Sequence, residues 1–351
     1  MQYNDEFFMR RCFELAKNGE GRVAPNPMVG AVIVCNGQII GEGYHTCYGA
    51  SHAEVMAINS VTDKSLLSKS TIYVNLEPCC HYGKTPPCTH LILKAEIPKV
   101  VVAATDPFPK VNGGGIELLQ NKGIDVKVGI LEEEARELNR FFYTYHLKKR
   151  PYIILKWAES IDGYIDTNWD VNSTPVKITG KTSNAIVHKW RAQVQAIMVG
   201  TNTVLRDNPK LTARNWQGNN PVRVIVDRNN RTPSGSSIFN NEAQTFVFTS
   251  QKSGKVYGDW VHEFEVNSDE NIEKVILDTL YKNNIQSLFI EGGTKLITNF
   301  LEKDLWDEVR IFIGNIHLQN GISAPIKPDI HPSASSIIGD DKLLVYRKNN
   351  L

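Results

Sequence analysis

His52, Glu54, Cys79 and Cys88 are the residues whose types and spacing could do chemistry together. Zinc takes imidazole nitrogen and thiolate sulfur readily, and a catalytic zinc keeps three protein ligands with one position left for water. The metal lowers the pKa of that water to about 7, which supplies a nucleophile at neutral pH. A hydrolytic deaminase also needs a carboxylate beside the metal, to take the water's proton and deliver it to the ring and the departing amine. In His52-Ala53-Glu54 the carboxylate follows the histidine by two residues at a helix start, so it can reach the open side of the metal without binding it. Pro78-Cys79, with Cys88 nine residues on, completes an H-x-E … P-C signature of zinc deaminases acting on bases. The second cysteine comes at a longer spacing than the usual P-C-x-x-C. A closed structural zinc site is the competing reading, since Cys80, His81 and His90 are near enough in sequence to offer a fourth ligand.

These residues need a scaffold, and the chain around them alternates strand and helix patterns. Val29 to Val34 and Ile39 to Gly43 are apolar runs joined at Asn36-Gly37, a strong hairpin signal. A helix is expected after His52, and strands at Thr71–Asn75, Lys99–Ala103 and Val126–Val128. Leu131 to Leu147 reads as one further helix, stopped by Lys148-Lys149-Arg150-Pro151. Such alternation argues for a layered α/β domain over 1–147. A second α/β pattern fills 150–351, with buried strands at 151–158, 196–200, 222–227, 245–249, 287–291 and 309–314. Helices are expected at Ser183–Ala192, Asn271–Asn283 and Thr294–Leu301, while Asn315 to Asp341 looks irregular.

Bulk properties narrow the partners. The 351 residues suffice for two domains, and 39 basic against 38 acidic residues leave no excess that would call for nucleic acid. The first residues read as an amphipathic helix rather than a signal peptide, and no apolar run approaches the ~18 residues that span a bilayer. A cytoplasmic protein with no membrane or nucleic-acid partner is expected, working as a homo-oligomer, dimer or tetramer. The six cysteines cluster before residue 89, which favours metal or catalysis over disulfides. Cys12 and Cys35 sit in apolar surroundings as small core residues.

The segment LEPCCHYGKTPPC (76–88), with HAE (52–54) and APNPMVGAVIV (24–34), resembles the deaminase half of the bifunctional deaminase/reductase family of riboflavin biosynthesis. The resemblance implies a cytidine-deaminase-like three-layer α/β/α domain holding one Zn2+ on His52, Cys79 and Cys88, with Glu54 catalytic. It also implies the substrate, 2,5-diamino-6-(5-phosphoribosylamino)pyrimidin-4-one. Asn26, His45, Lys84 and Asp106 fall at the family's substrate contacts, Lys84 being suited to the phosphate. Cys47 stands where relatives carry a basic residue, and Phe108 replaces the asparagine of a DPNP turn. Gly113-Gly114-Gly115 fits either a ligand approach or a loop before a helix.

In the second half no G-x-G-x-x-G opens a helix after a first strand, which argues against a Rossmann domain. RPYIILKWAESIDGYI (150–165), ITG (178–180), VGTNTVLRDNPKLTAR (199–214) and EGGTKLI (291–297) resemble instead the reductase half of the same family. That implies a dihydrofolate-reductase-like α/β domain and NADPH, with hydride transfer reducing the ribosyl chain to ribityl and giving 5-amino-6-(5-phosphoribitylamino)uracil. Ala158, Thr203, Asp207, Gly292 and Gly293 match cofactor positions. Arg191, Leu211, Arg214 and Glu291 match substrate positions, the arginines being apt for phosphate. Lys177, Gln195 and Asn202 depart from the pattern. Two other readings are a tRNA or nucleobase deaminase with an appended non-catalytic domain, and a non-catalytic protein with a closed zinc site.

Overall fold

The computed structural model describes residues 4–82, 86–109, 111–168, 176–267 and 269–348. The chain divides into two compact units, one ending at Lys149 and the other starting at Arg150.

The first unit runs α1 (Asp5–Lys17), β1 (Gly30–Cys35), β2 (Gln38–Tyr44), α2 (Ala53–Ser60), β3 (Thr71–Leu76), α3 (Cys88–Lys94), β4 (Lys99–Ala104), α4 (Gly114–Asn121), β5 (Asp125–Val128), α5 (Glu132–Leu138) and α6 (Arg140–Lys148). Its sheet has the order β2-β1-β3-β4-β5, with β1 antiparallel to both neighbours and β3, β4 and β5 parallel. Asn36 and Gly37 both take positive φ (50° and 77°), the backbone a tight hairpin requires. The three central strands β1, β3 and β4 are apolar on both faces, and their period of two divides the core into two layers. Val32, Val34, Tyr73 and Val101 pack on α1, α5 and α6, while Ala31, Ile33, Ile72, Val74 and Val100 pack on α2, α3 and α4. The result is the expected three-layer α/β/α domain.

The expected single helix over 131–147 is two helices. Asn139 leaves helical geometry (φ −102°, ψ 26°). Its side-chain carbonyl accepts from Met28 N (2.8 Å) and its amide donates to Met28 O (2.9 Å). A tertiary tie to the 24–29 loop thus sets the break, which no helical periodicity reveals.

The second unit contains β6 (Tyr152–Ser160), β7 (Tyr164–Asp166), α7 (Lys181–Gln193), β8 (Ala196–Gly200), α8 (Thr201–Asp207), β9 (Val222–Val226), β10 (Thr245–Thr249), β11 (Val261–Glu265), α9 (Ile272–Lys282), β12 (Ser287–Ile290), α10 (Thr294–Glu302), β13 (Glu308–Gly314), β14 (Ile322–Ser323), β15 (Ala334–Ile338) and β16 (Asp341–Arg347). Nine strands form one sheet in the order β11-β10-β9-β8-β12-β6-β13-β16-β15, parallel from β11 to β13 and antiparallel after it. β7 and β14 make a separate antiparallel pair. The stretch from Asn315 to Asp341 therefore holds β14 and the edge strand β15. β15 reads ASSII and is exposed almost throughout, so it carries no apolar alternation to betray it.

Candidate active sites

In the first unit, α2 lies directly on β2 because two glycines leave room for it. A Cβ on Gly43 would sit 2.4 Å from Ala57 N, and one on Gly41 2.6 Å from Ala57 O. His52 is the N-cap of α2 in extended geometry, and Glu54 follows in the first turn, only 3% exposed. Cys79 lies beyond the end of β3, and Cys88 is the first residue of α3. The start of α3 clamps the loop: Cys88 N donates to Cys79 Sγ (3.3 Å), and Thr89 N and Oγ1 both donate to Cys79 O (3.2 Å each).

His52 Nδ1 is 3.5 Å from Cys79 Sγ and 3.3 Å from Cys88 Sγ, and the three donor atoms lie within 4.8 Å of one another. Zinc bonds of roughly 2.0–2.3 Å at tetrahedral angles put ligand atoms about 3.5 Å apart, so the group fits that ion. The Cys79 thiol is drawn down to about 4, first by the hydrogen bond with Cys88, with the hydrogen bond to His52 acting the same way against burial. A thiolate is what the metal requires. Burial, with the Cys79 charge adding, pushes the Glu54 carboxyl up to about 7, and that carboxyl hydrogen-bonds the Cys88 side chain.

Neither Cys80, His81 nor His90 joins this group among the described residues. The Cys80 sulfur lies against Gly114, the His81 ring faces Phe108 (5.9 Å between centroids), and His90 Nδ1 is 3.2 Å from the Tyr82 hydroxyl. That arrangement is the one an open catalytic site needs, with three ligands and a carboxylate beside them.

Asn26 and His45 stand next to the cluster. His45 is 3% exposed, its ring edge-on to His52 (5.6 Å). Its Nδ1 is 3.0 Å from Ser51 O, so that nitrogen donates, and Nε2 accepts from Asn26 Nδ2 (3.0 Å). Asp106 is buried on the loop after β4 and accepts from Phe108 N (2.8 Å); burial raises its carboxyl to about 7, with the Glu77 carboxylate adding. Lys84 lies outside the described residues. Glu77 received no role in the sequence reading. It is 4% exposed and accepts from Asp106 N (3.2 Å), Gly113 N (2.9 Å), Gly115 N (2.8 Å) and Ile116 N (3.2 Å), so one carboxylate ties the residue after β4 to the start of α4. Its signal was an acid between an apolar strand and Pro78-Cys79.

The second unit carries a cavity of about 1210 Å3 at the carboxyl ends of its parallel strands, where open α/β sheets bind ligands. Ala158, Thr203, Asp207, Gly292, Gly293, Arg191 and Glu291 all line it. A Cβ on Gly292 would come within 3.0 Å of Thr203 Oγ1, so glycine lets the two strand ends close on each other. Burial, and then Asp166, raises the Asp207 carboxyl. The Arg191 fork grips Glu291 (Nε–Oε1 2.7 Å, Nη2–Oε2 2.8 Å), and this carboxylate is held below its ordinary value against burial by that charge. One face of Arg191 is therefore spent within the protein. Leu211 and Arg214 do not line the cavity: Leu211 is buried at φ 53°, and Arg214 is exposed.

Lys156 was also missed. It lines the cavity beside Glu291 and Arg191, and burial lowers its ammonium pKa, with Arg191 acting the same way. Its signal was a charge in the middle of the apolar run YIILKWA.

Residues 2–104 match the cytidine and deoxycytidylate deaminase zinc-binding region, and residues 151–318 match the RibD C-terminal domain. The chain is 41% identical to riboflavin biosynthesis protein RibD of Aquifex aeolicus over 330 residues, covering 91% of this chain and 89% of that protein. It is 34% identical to the RibD protein of Escherichia coli, over 88% and 87% of the two chains. A crystal structure of a deaminase/reductase from Thermotoga maritima superimposes with a TM-score of 0.88 at 40% identity, covering 98% of each chain. The chain belongs to the RibD family. RibD proteins are bifunctional deaminase/reductases of riboflavin biosynthesis, with a zinc-binding deaminase domain and an NADPH-dependent reductase domain. Membership removes the reading in which the second domain is non-catalytic. Among the described residues no helix is long and apolar enough to cross a membrane.

Proposed function

We propose that the unit ending at Lys149 hydrolyses an amino group from 2,5-diamino-6-(5-phosphoribosylamino)pyrimidin-4-one. The unit starting at Arg150 then reduces the ribosyl chain of the product with NADPH, giving 5-amino-6-(5-phosphoribitylamino)uracil. The observation that carries this reading is the set of three donor atoms within 4.8 Å of one another, with the buried Glu54 carboxyl beside them.

His52, Cys79 and Cys88 hold the zinc, which when bound supplies the Lewis acidity that makes water nucleophilic at neutral pH. Glu54 relays both protons of the attacking water, the first to the ring nitrogen as the C–O bond forms and the second to the amine as the C–N bond breaks and ammonia leaves. His45 accepts from the Asn26 amide nitrogen, which leaves the Asn26 carbonyl oxygen for the pyrimidine's N–H groups. Asp106 and Lys84 serve the ribose phosphate side. In the reductase cleft Gly292 and Gly293 present backbone to the cofactor's phosphates at the start of α10, while Ala158, Thr203 and Asp207 flank its nicotinamide nucleotide. Glu291, fixed by Arg191, meets the substrate together with Lys156. NADPH, when bound, brings the reducing equivalents, so the protein's part is positioning and electrostatics. The setting is the cytoplasm and the working form a homo-oligomer, for which the exposed edge strand β15, with Ile337 70% exposed, offers a pairing surface.

Supplying the zinc-loaded protein with the diaminopyrimidinone phosphate tests both halves. Ammonia should appear without NADPH, and NADPH should be oxidised only as the deaminated product forms. NADPH oxidation with no release of ammonia would reverse the order and sink the reading.

A further inference from the structure

Asparagine is depleted in strands, and a buried one must find partners for both ends of its amide. β3 nonetheless ends in Asn75-Leu76 with Asn75 completely buried. A second buried asparagine, Asn139, breaks the path between α5 and α6. Neither belongs to the zinc group. Both reach the same stretch of backbone.

The β1–β3 ladder runs from Val34–Thr71 to Ala31–Val74 and stops there. One position further, the Asn75 side chain takes over from the strand: Oδ1 accepts from Gly30 N (2.7 Å), and Nδ2 donates to Met28 O (3.0 Å). From the other side Asn139 Oδ1 accepts from Met28 N (2.8 Å), and Asn139 Nδ2 donates to Met28 O (2.9 Å). The two amides thus hold both polar groups of Met28 and the N–H of Gly30. A Cβ on Gly30 would sit 2.1 Å from Cys12 O, so α1 also closes on this stretch with no space to spare. His45 N donates to Val29 O (2.9 Å), which ties the histidine to the same three residues.

Asn26 precedes this clamp by two residues. Its own N–H donates back to Val23 O (2.9 Å), and its side-chain amide donates to His45 Nε2 (3.0 Å). The backbone that carries Asn26 and the histidine that orients it both lead back to residues 28–30. A contact group held in this way has lost its loop and rotamer freedom before any ligand arrives, which strengthens binding without entering the bond-making step.

Resting on the deaminase reading above, we propose that Asn75 and Asn139 are positioning residues for deamination: they fix Met28 from two sides and so hold the Asn26 carbonyl oxygen where the pyrimidine's N–H groups arrive.

The test is a double-mutant cycle on the zinc-loaded full chain, read by ammonia release from the diaminopyrimidinone phosphate. Asn139→Ala should raise KM about tenfold, the scale of a net hydrogen bond or two, while kcat stays within about twofold and zinc at one per chain. Amide exchange at Met28 should quicken in the same variant. Asn26→Ala should itself raise KM about tenfold. On that background Asn139→Ala should add less than about twofold, because a residue that acts through Asn26 then has nothing left to position. Asn75→Ala should repeat the pattern from the other side of Met28, so the cycle is read on whichever variant keeps its zinc. An unchanged KM, or a rise that persists in full on the Asn26→Ala background, overturns the proposal. Loss of zinc or of kcat in both variants overturns it too, since the asparagines would then serve the fold alone. A wild-type chain that releases no ammonia overturns the deaminase reading itself.

Discussion

The two units differ in how they assemble a site. In the first, four side chains from two short segments meet where helices begin, and metal-ligand chemistry dictates which residue types stand there. In the second, the cavity draws single residues from strand ends, helices and turns scattered from Lys156 to Pro325, most of them ordinary in type. Composition follows the same division: all six cysteines precede residue 89, and all six tryptophans follow residue 150. A metal centre concentrates its information in a few side chains, whereas a dinucleotide cleft spreads its information over backbone and surface. The contrast predicts that single substitutions will abolish the first activity and erode the second.

Glu54→Gln should have the largest effect. Removing a positioned general acid–base costs ~10²–10⁴-fold, so ammonia release should collapse while zinc content, read by metal analysis, stays at one per chain. NADPH oxidation on pre-deaminated substrate should be untouched. Retention of normal deamination would break the comparison at its strongest point.

Arg191→Ala probes the other pole. It strips Glu291 of its bidentate partner and leaves a buried carboxylate uncompensated, a loss of about 3–5 kcal/mol. Reduction should weaken without vanishing and the second unit should melt earlier, read by tryptophan fluorescence, which reports on that unit alone. Deamination at moderate temperature should persist. Equal loss of both activities would mean the sites are not independent.

What the sequence showed and what it hid follow from the same contrast. His52, Glu54, Cys79 and Cys88 were legible because few physical roles explain those types at that spacing. The buried strands were legible because runs such as AIMVG and TFVFT have nowhere to go but a core. β15 was hidden because an edge strand faces water and its residues are chosen for solubility. The break at Asn139 was hidden because its cause, Met28, lies more than a hundred residues away. Lys156 and Glu77 were visible as charges out of pattern, but only tertiary structure says what each one holds.

Glu77→Gln sharpens the comparison within the first unit, where one residue does act through backbone. The amide keeps a single acceptor oxygen and turns an NH2 toward backbone donors, a loss of roughly 1–3 kcal/mol for the unmet partners. Hydrogen exchange at Gly113, Gly115 and Ile116 should quicken, and deaminase KM should rise more than kcat falls. Unchanged exchange would show that the carboxylate does not hold this loop.

The last effect concerns acid stability and vanishes above pH 6.5. His188 is 1% exposed on α7, one turn before Arg191, and burial, with Arg191 and Arg214 adding, pushes its imidazole down to about 4. The unfolded chain holds its proton up to the ordinary value of 6.5, so between pH 6.5 and 4 unfolding takes up a proton that the fold excludes. Its contribution is therefore intact above pH 6.5 and lost as pH falls through that window, by at most about 3 kcal/mol. His146 in α6, driven down to about 4 by burial with Lys149 adding, has the same sign in the first unit. His188→Gln should flatten the pH dependence of denaturant midpoints followed by tryptophan emission between pH 6.5 and 4. His146→Gln should leave that signal alone and flatten the window for the first unit, followed by its hydrogen exchange. A tryptophan transition that responds equally to both would show that the units unfold as one.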